Sequence, residues 1–313
     1  MSQSPGNSPY QALSYFALTL DPVHVGVGGM RLGRVDMPIV REAGSNLPTI
    51  PGTSLSGACR TYAAMQEPGK FPHCAGQGQA HNGRHYQGHC GKPECPICVT
   101  FGFSKGNEGS FQGLARFSDA RLVFFPVYSL AGPVWVTCPS ILRELSVTHP
   151  SLQGDAGILV ASGLGTIRQL NLGWLMLPVE KNGLDLPKEK FFDLPDDILS
   201  RAVLVSDKIF GHIVNDNLEV RTSVSIDPTT GAAAEHALFT YEALPRACVL
   251  RFEVILSSPE YYRIGNQKPL QNNGGIEKVR STVESGLSLF EMLGVGGMNT
   301  RGMGRLRVLN LHK

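Results

Sequence analysis

The sequence predicts an α+β fold, a split βαββαβ core interrupted by long insertions. Three observations carry that expectation. A strand and a helix open the chain, at "ALSYFALTL" from Ala12 and "TSLSGACRTYAAMQ" from Thr53. A strand, a helix and a strand close it: "CVLRFEVILSS" from Cys248, then Ile276, Val279, Val283, Leu287, Phe290 and Leu293 at helical spacing, then "RLRVLNL" from Arg305. Between these ends, 36 glycines and 21 prolines in 313 residues argue for turns and loops, not a helical bundle. The order fits a ferredoxin-like core.

Each element has its own justification. The run from Ala12 is short, apolar and aromatic, as a strand requires. "DPVHVGVGGMRLGRVDMP" follows as a Gly-rich connection. Thr53 or Ser54 is the expected N-cap of the first helix, with Leu55, Ala58, Cys59 and Tyr62 on its apolar face. From 68 to 107 the composition turns to Gly, His and Cys with almost no core residues, which marks an insertion. "GLARFSDARLVFFPVYS" gives two strands around a turn at Ser118-Asp119, and "TCPSILREL" gives a capped helix. From Ser151 to Ser206 only "NLGWLMLPVE" reads as a strand. "VRTSVSIDPTTGAAAEHALFTYEALP" reads as a hairpin with an Asp-Pro-Thr-Thr-Gly tip. After it, Leu250, Phe252 and Val254 alternate with Val249, Arg251 and Glu253, a half-buried strand.

Composition narrows the function classes. Hydrophobic residues at 42% and charged residues at 17% describe an ordinary globular protein. A net charge of +2 does not advertise a basic surface overall, though local clusters can still form one. The N-terminus has neither a basic nor an apolar signal region, and "LVFFPV" from Leu122 is too short to span a bilayer. Seven cysteines without an export signal point to thiols or metal ligands. A cytoplasmic protein is expected.

Four groups of residues carry chemistry. Gly294, Gly296, Gly297, Gly302 and Gly304, with Arg301, Arg305 and Arg307, form a terminal loop able to approach an anion closely; a tight helix-to-strand turn explains it equally well. The helix start at Thr53-Ser54 offers N–H groups to a phosphate, with Arg60 along the helix and Arg31, Arg34 and Arg41 before it. N-capping alone accounts for the same residues. His24 and Asp36 share the Gly-rich connection and suit acid–base or cation chemistry, or a turn cap and a carbonyl-bound imidazole. Last, His73, Cys74, His81, His85, His89, Cys90, Cys95 and Cys98 crowd one stretch. Cys95-Pro-Ile-Cys98 is a C-x2-C knuckle, and Cys74 and Cys90 complete four sulfurs for structural zinc, unless a histidine replaces either.

Taken in order, "VHVGVGG", "VDMPIVRE", "LPTIPGTSLSGACR", "FGFSKGNEGSFQGLARFSDARLVFFPVYSLAGPVWVTCP", "VRTSVSIDPTTGAAAEHALF" and "GGMNTRGMGRLRV" resemble the repeated backbone subunit of type III-B (Cmr) CRISPR effector complexes, of the RAMP superfamily. The match is weakest between Ser151 and Ser206, and the related III-A and III-D backbone subunits share many of its motifs. The resemblance implies one RAMP-type domain over 1–313, with a modified ferredoxin-like, RRM-type palm. It also implies a thumb hairpin over 206–240, beside the Cys/His-rich insertion 68–107.

It further implies head-to-tail copies on CRISPR RNA, with other effector subunits, cutting complementary single-stranded RNA at regular intervals with Mg²⁺ or Mn²⁺. Asp36 matches the family's cleavage acid and His24 a histidine beside it; Tyr241 and Glu242 fall near a Glu/Tyr pair. Thr53, Ser54, Arg60 and the Gly loop (Gly296, Gly297, Arg301), with Arg41 and Arg221, are the implied RNA contacts. An architectural guide-holding subunit without nuclease activity is the alternative, and an Asn, Ala or Gly at position 36 would favour it. A stand-alone, metal-independent processing nuclease is a third.

Overall fold

The computed structural model describes residues 8–28, 35–76, 88–105, 109–233 and 238–311. Strand β1, Tyr10–Thr19, is apolar on both faces because both are covered. Tyr15 and Ala17 enter one core, while Phe16 enters a second on the opposite side of the sheet. Such two-sided burial is why the run reads as continuous instead of alternating.

The short β2, Thr49–Ile50, leads into helix α1, Gly52–Gln66. Its N-cap is Pro51, not Thr53 or Ser54, and no side chain of the cap residue closes it. Instead the Gly52 N–H donates to Asp119 Oδ1 at 2.8 Å, so a carboxylate from another element satisfies the helix end. Gly52 lies so close to the Phe117 carbonyl that no Cβ fits there.

Helix α2, Pro96–Phe101, corrects the expectation of a coreless insertion. Ile97 and Val99 are fully buried, and Val99 belongs to the main core. The two-stranded β3, Phe103–Ser104, and β4, Ser110–Phe111, follow it. His81 and His85, like Arg31 and Arg34, lie outside the described residues.

β5, Ala115–Phe117, and β6, Ala120–Val127, both pair antiparallel with β14, Val249–Ser257. Ser118-Asp119 is therefore not a reversal but an interruption in one strand line, and it frees Asp119 to reach α1. A second sheet portion follows: β7 (Val134–Thr137), α3 (Pro139–Glu144), β8 (Ile158–Ala161), β9 (Gln169–Leu172), β10 (Leu175–Leu184), α4 (Asp196–Ser200) and β11 (Ala202–Leu204). The single strand expected at "NLGWLMLPVE" is the β9–β10 hairpin, turning at Gly173 with φ +60°. The Cys138 cap leaves α3 open as well, and Asp207 Oδ1 receives the Ser140 N–H at 2.9 Å.

The segment from Ser206 begins with helix α5, Asp207–Asp216, whose Phe210, Ile213 and Val214 are buried. The hairpin itself is β12, Glu219–Ser223, against β13, Phe239–Ala243. Its tip closes where Gly231 donates to the Asp227 carbonyl at 2.8 Å and Asp227 to that of Ala232 at 2.9 Å. Residues 234–237 lie outside the described residues. After β14 come α6 (Gly275–Ser288), α7 (Phe290–Leu293) and β15 (Leu306–Val308).

The main sheet runs β15–β1–β14–β6–β7–β11–β8–β10–β9, and its first four strands are mutually antiparallel. α1 and α6 pack side by side on one face of those four. Gly286 permits the approach, since a Cβ there would enter the Cys59 carbonyl. Among the described residues, no helix is long and apolar enough to cross a membrane.

Candidate active site and metal centre

The Gly-rich connection after β1 is laid onto the base of the hairpin. Val23 bridges Leu244, His24 bridges Gly297, Gly26 bridges Ile39, and Met37 bridges Tyr241 in parallel. Gly297 donates to the His24 carbonyl at 2.8 Å. Gly296, at φ +89°, is required there because a Cβ would come within 2.5 Å of that carbonyl oxygen. Part of the terminal glycine loop thus has an internal reason.

The alternation of β13 sorts the site. Tyr241 and Ala243 turn into a small cluster with Met303, while Thr240 and Glu242 bond to the segment from Asp36 to Arg41. Asp36 is half-buried. Its Oδ2 accepts the Thr240 N–H at 2.7 Å and the Thr240 hydroxyl at 2.9 Å. The Asp36 N–H in turn donates to Thr240 Oγ1 at 3.1 Å. These bonds, the backbone one first, hold the Asp36 carboxyl below its ordinary range.

His24 is only 4% exposed, with Nδ1 2.6 Å from the Glu242 carbonyl. A carbonyl only accepts, so Nδ1 carries a proton and donates it to Glu242. Nε2 faces Gly26, where a Cβ would lie 3.0 Å away. Tyr241 meets the imidazole edge-on at 6.1 Å between centroids. The Glu242 carboxylate, on a residue 5% exposed, receives Arg41 Nη2 at 2.9 Å. Arg41 also donates to Asn215 of α5 at 3.1 Å and to the Ile39 carbonyl at 3.2 Å. Of the four expected catalytic residues, three are buried and Asp36 alone is half-exposed. Thr240 gave no signal in the sequence beyond a β-branched residue in a strand.

The expected RNA contacts divide. Thr53 is exposed and Ser54 half-buried at the start of α1. Thr53 lines an open cavity of about 450 Å³ with Ser56, Gly57, Arg116 and Phe117. Arg301 lies over the Phe239 ring at 5.6 Å, and Arg221 pairs with Glu219 at 2.6 Å, both at the hairpin base. Arg41 turns inward, and Arg60, half-buried, lines the same cavity as Thr53 while its guanidinium is tied to backbone carbonyls. Arg60 donates from Nε to the Cys74 carbonyl and from Nη1 to the Gly102 carbonyl, each at 2.8 Å.

Arg60 thereby joins α1 to the cysteine cluster. The Sγ atoms of Cys74, Cys90, Cys95 and Cys98 all lie within 4.8 Å of one another. Cys90–Cys98 and Cys98–Cys74 are 3.7 Å apart, and Cys95–Cys74 is 4.0 Å. Four sulfurs at ~2.3 Å from a tetrahedral zinc are separated by ~3.8 Å, so this set fits such an ion. The Cys98 N–H donates to Cys95 Sγ at 3.5 Å, the knuckle's own support for a thiolate. Hydrogen bonds from Cys74, Cys95 and Cys98 hold the Cys90 thiol far below its ordinary range. Contacts with Cys74 and Cys90 push Cys95 and Cys98 up. His89 is buried outside the four-sulfur set, and burial, then the nearby Arg60 charge, lower its imidazole below the ordinary range.

Against known proteins, the family model described as the RAMP superfamily matches residues 17–307. The protein named CRISPR system Cmr endoribonuclease Cmr4, from Pyrococcus furiosus, is 26% identical over 262 residues, which is 77% of this chain and 80% of that protein. A subunit of the type III-B Cmr-beta complex bound to cognate target RNA, solved by cryo-EM, superposes with a TM-score of 0.64. It has 17% identity, with 96% of this chain and 99% of that one covered. The crystal structure of oligomeric Cmr4 from Pyrococcus furiosus superposes at 0.58 with 19% identity, covering 97% and 100%. These superpositions establish the fold.

Proposed function

The chain belongs to the RAMP superfamily, and from that premise we propose that it is a backbone subunit of a type III-B (Cmr) CRISPR effector, an endoribonuclease that cuts complementary RNA under guide control. Its partners are CRISPR RNA, target RNA, further copies of itself and the other effector subunits, in the cytoplasm. The antiparallel order β15–β1–β14–β6, with α1 and α6 on one face, supports reading the palm as ferredoxin-like. The hairpin β12–β13 is its thumb.

The observation that carries the nuclease reading is the state of Asp36. Its carboxyl is held below the ordinary range, half-exposed and, among the described residues, anchored by Thr240 through Oδ2, at the root of the thumb strand. In a regular A-form duplex the 2′-hydroxyl stands away from the line behind its own phosphorus. Splaying a nucleotide at the thumb releases that restraint. The 2′-oxygen bonds to phosphorus as the P–O5′ bond breaks, a carboxylate beside it orienting the hydroxyl or taking its proton while solvent water protonates the departing 5′-oxygen. Asp36 is the residue that touches RNA. His24, Tyr241 and Glu242 are positioning residues, since each is buried.

A divalent ion fits Asp36 only as one ligand among RNA phosphates and waters, the usual Mg²⁺ arrangement. When bound it supplies charge neutralisation at the scissile phosphate. Zn²⁺ is the ion for the four cysteines, with a folding role.

The guide-holding alternative draws on the same bonds, because an Asp that ties a loop to a strand needs no further duty. Product ends separate the two. The guide-loaded complex is expected to leave regularly spaced fragments with cyclic phosphate and 5′-hydroxyl ends. Intact target, bound but uncut, would favour the scaffold.

A further inference from the structure

Among the described residues, both hydrogen bonds that another residue gives to the Asp36 side chain come from Thr240. Its N–H and its hydroxyl both end on Oδ2, at 2.7 and 2.9 Å. Having given its one proton to that oxygen, Oγ1 still has lone pairs, and it accepts the Asp36 N–H at 3.1 Å. The backbone is pinned on either side, by Met37 N–H to the Thr240 carbonyl at 3.0 Å and Glu242 N–H to the Met37 carbonyl at 3.1 Å. No hydrogen bond or ion pair among the described residues falls on Oδ1.

We propose that Thr240 is the residue that aims Asp36 in the cleavage site, locking it through Oδ2 so that Oδ1 is the oxygen presented to the target strand. The proposal rests on the reading of Asp36 as the group that acts on RNA. It places the aim of the carboxylate in β13, the same strand that runs out into the thumb. Two anchors on one oxygen fix both the torsion and the choice of oxygen, which the backbone bridge alone does not do. A hydroxyl donates and accepts in this way from a single side-chain atom, which valine and alanine cannot do.

The test uses the complete guide-loaded effector with Thr240→Val, Thr240→Ala and Thr240→Ser, beside Asp36→Asn. Valine keeps the β-branched shape and alanine cannot clash, so their agreement separates lost aim from lost folding. Target binding is measured first, then single-turnover cleavage across pH. Both are expected to bind target normally and to cut on the order of 100-fold more slowly, the effect of misplacing a reacting group by about 1 Å. The acid limb of their pH profile is expected to move upward, toward an ordinary carboxylate, and serine to restore both rate and limb. Valine and alanine variants that cut at the wild-type rate with an unmoved limb, while Asp36→Asn is inactive, would overturn the role of Thr240 alone. An Asp36→Asn complex that still cuts would bring down the reading on which it stands.

Discussion

The four-cysteine centre and the Asp36 site are built on opposite plans. The centre is local: all four sulfurs come from the 25 residues between Cys74 and Cys98, and they point at one another. The Asp36 site is assembled at long range, from His24, Asp36, the strand carrying Thr240 and Glu242, and the turn at Gly296-Gly297. The first holds its own geometry once an ion binds. The second borrows its geometry from backbone bridges, so it depends on the base of the β12–β13 hairpin being seated.

That contrast breaks most sharply under metal loss. Cys95→Ser is expected to abolish stoichiometric zinc and release the segment around α2, because structural zinc contributes on the order of 10 kcal/mol to such folds. Metal analysis together with limited proteolysis reads it. Wild-type protein containing no zinc would remove the centre from the account. A smaller loss is expected from Arg60→Ala, which deletes two charged hydrogen bonds worth about 3–6 kcal/mol together. Faster zinc transfer to a chelator with guide affinity intact would place Arg60 with the metal. The reverse pattern would return it to the RNA.

Next comes the long-range site. Glu242→Gln leaves the Arg41 guanidinium without its anion. The pair is partly open, with side chains 19% and 7% exposed, so a cost of about 2–3 kcal/mol in denaturant unfolding is expected. Zinc content should not change. The smallest effect is in pH. Asp36 has a folded pKa below its unfolded value, so its contribution to stability is complete above about pH 5. It is lost as pH falls through the ordinary carboxylate range near 4 and below. The Asp36→Asn difference in melting temperature should therefore be constant from pH 6 to 8 and shrink in acid.

The same contrast explains what the sequence made legible. C-x2-C spacing is a short-range chelate that marked Cys95 and Cys98, while Cys74 and Cys90 stood open to replacement by a histidine until the fold brought the four sulfurs together. The central strands were readable because β1 and β14 are apolar enough to declare themselves, and α6 because its buried residues recur at helical spacing. The helix caps were misread, because Asp119 and Asp207 reach in from other elements and leave no trace beside the helices they close. α2 was missed as core since six residues, two of them cysteines, carry too little periodicity. Asp36 and His24 were visible only as residue types in a glycine-rich loop, and the resemblance supplied their role. Arg41 and Arg60 looked like free cations, and only the fold reveals the carbonyls and carboxylate that hold them.

The most direct measurement is target cleavage by the guide-loaded complex carrying Asp36→Asn, in Mg²⁺ and in EDTA, with target affinity measured alongside. Asparagine keeps an oxygen for Thr240 and removes the charge. The account predicts unchanged binding and a loss of the regularly spaced products by about 10²–10⁴-fold, the range for a positioned acid–base group. Cleavage at the wild-type rate in the mutant would contradict it and leave this chain a scaffold on which another subunit cuts.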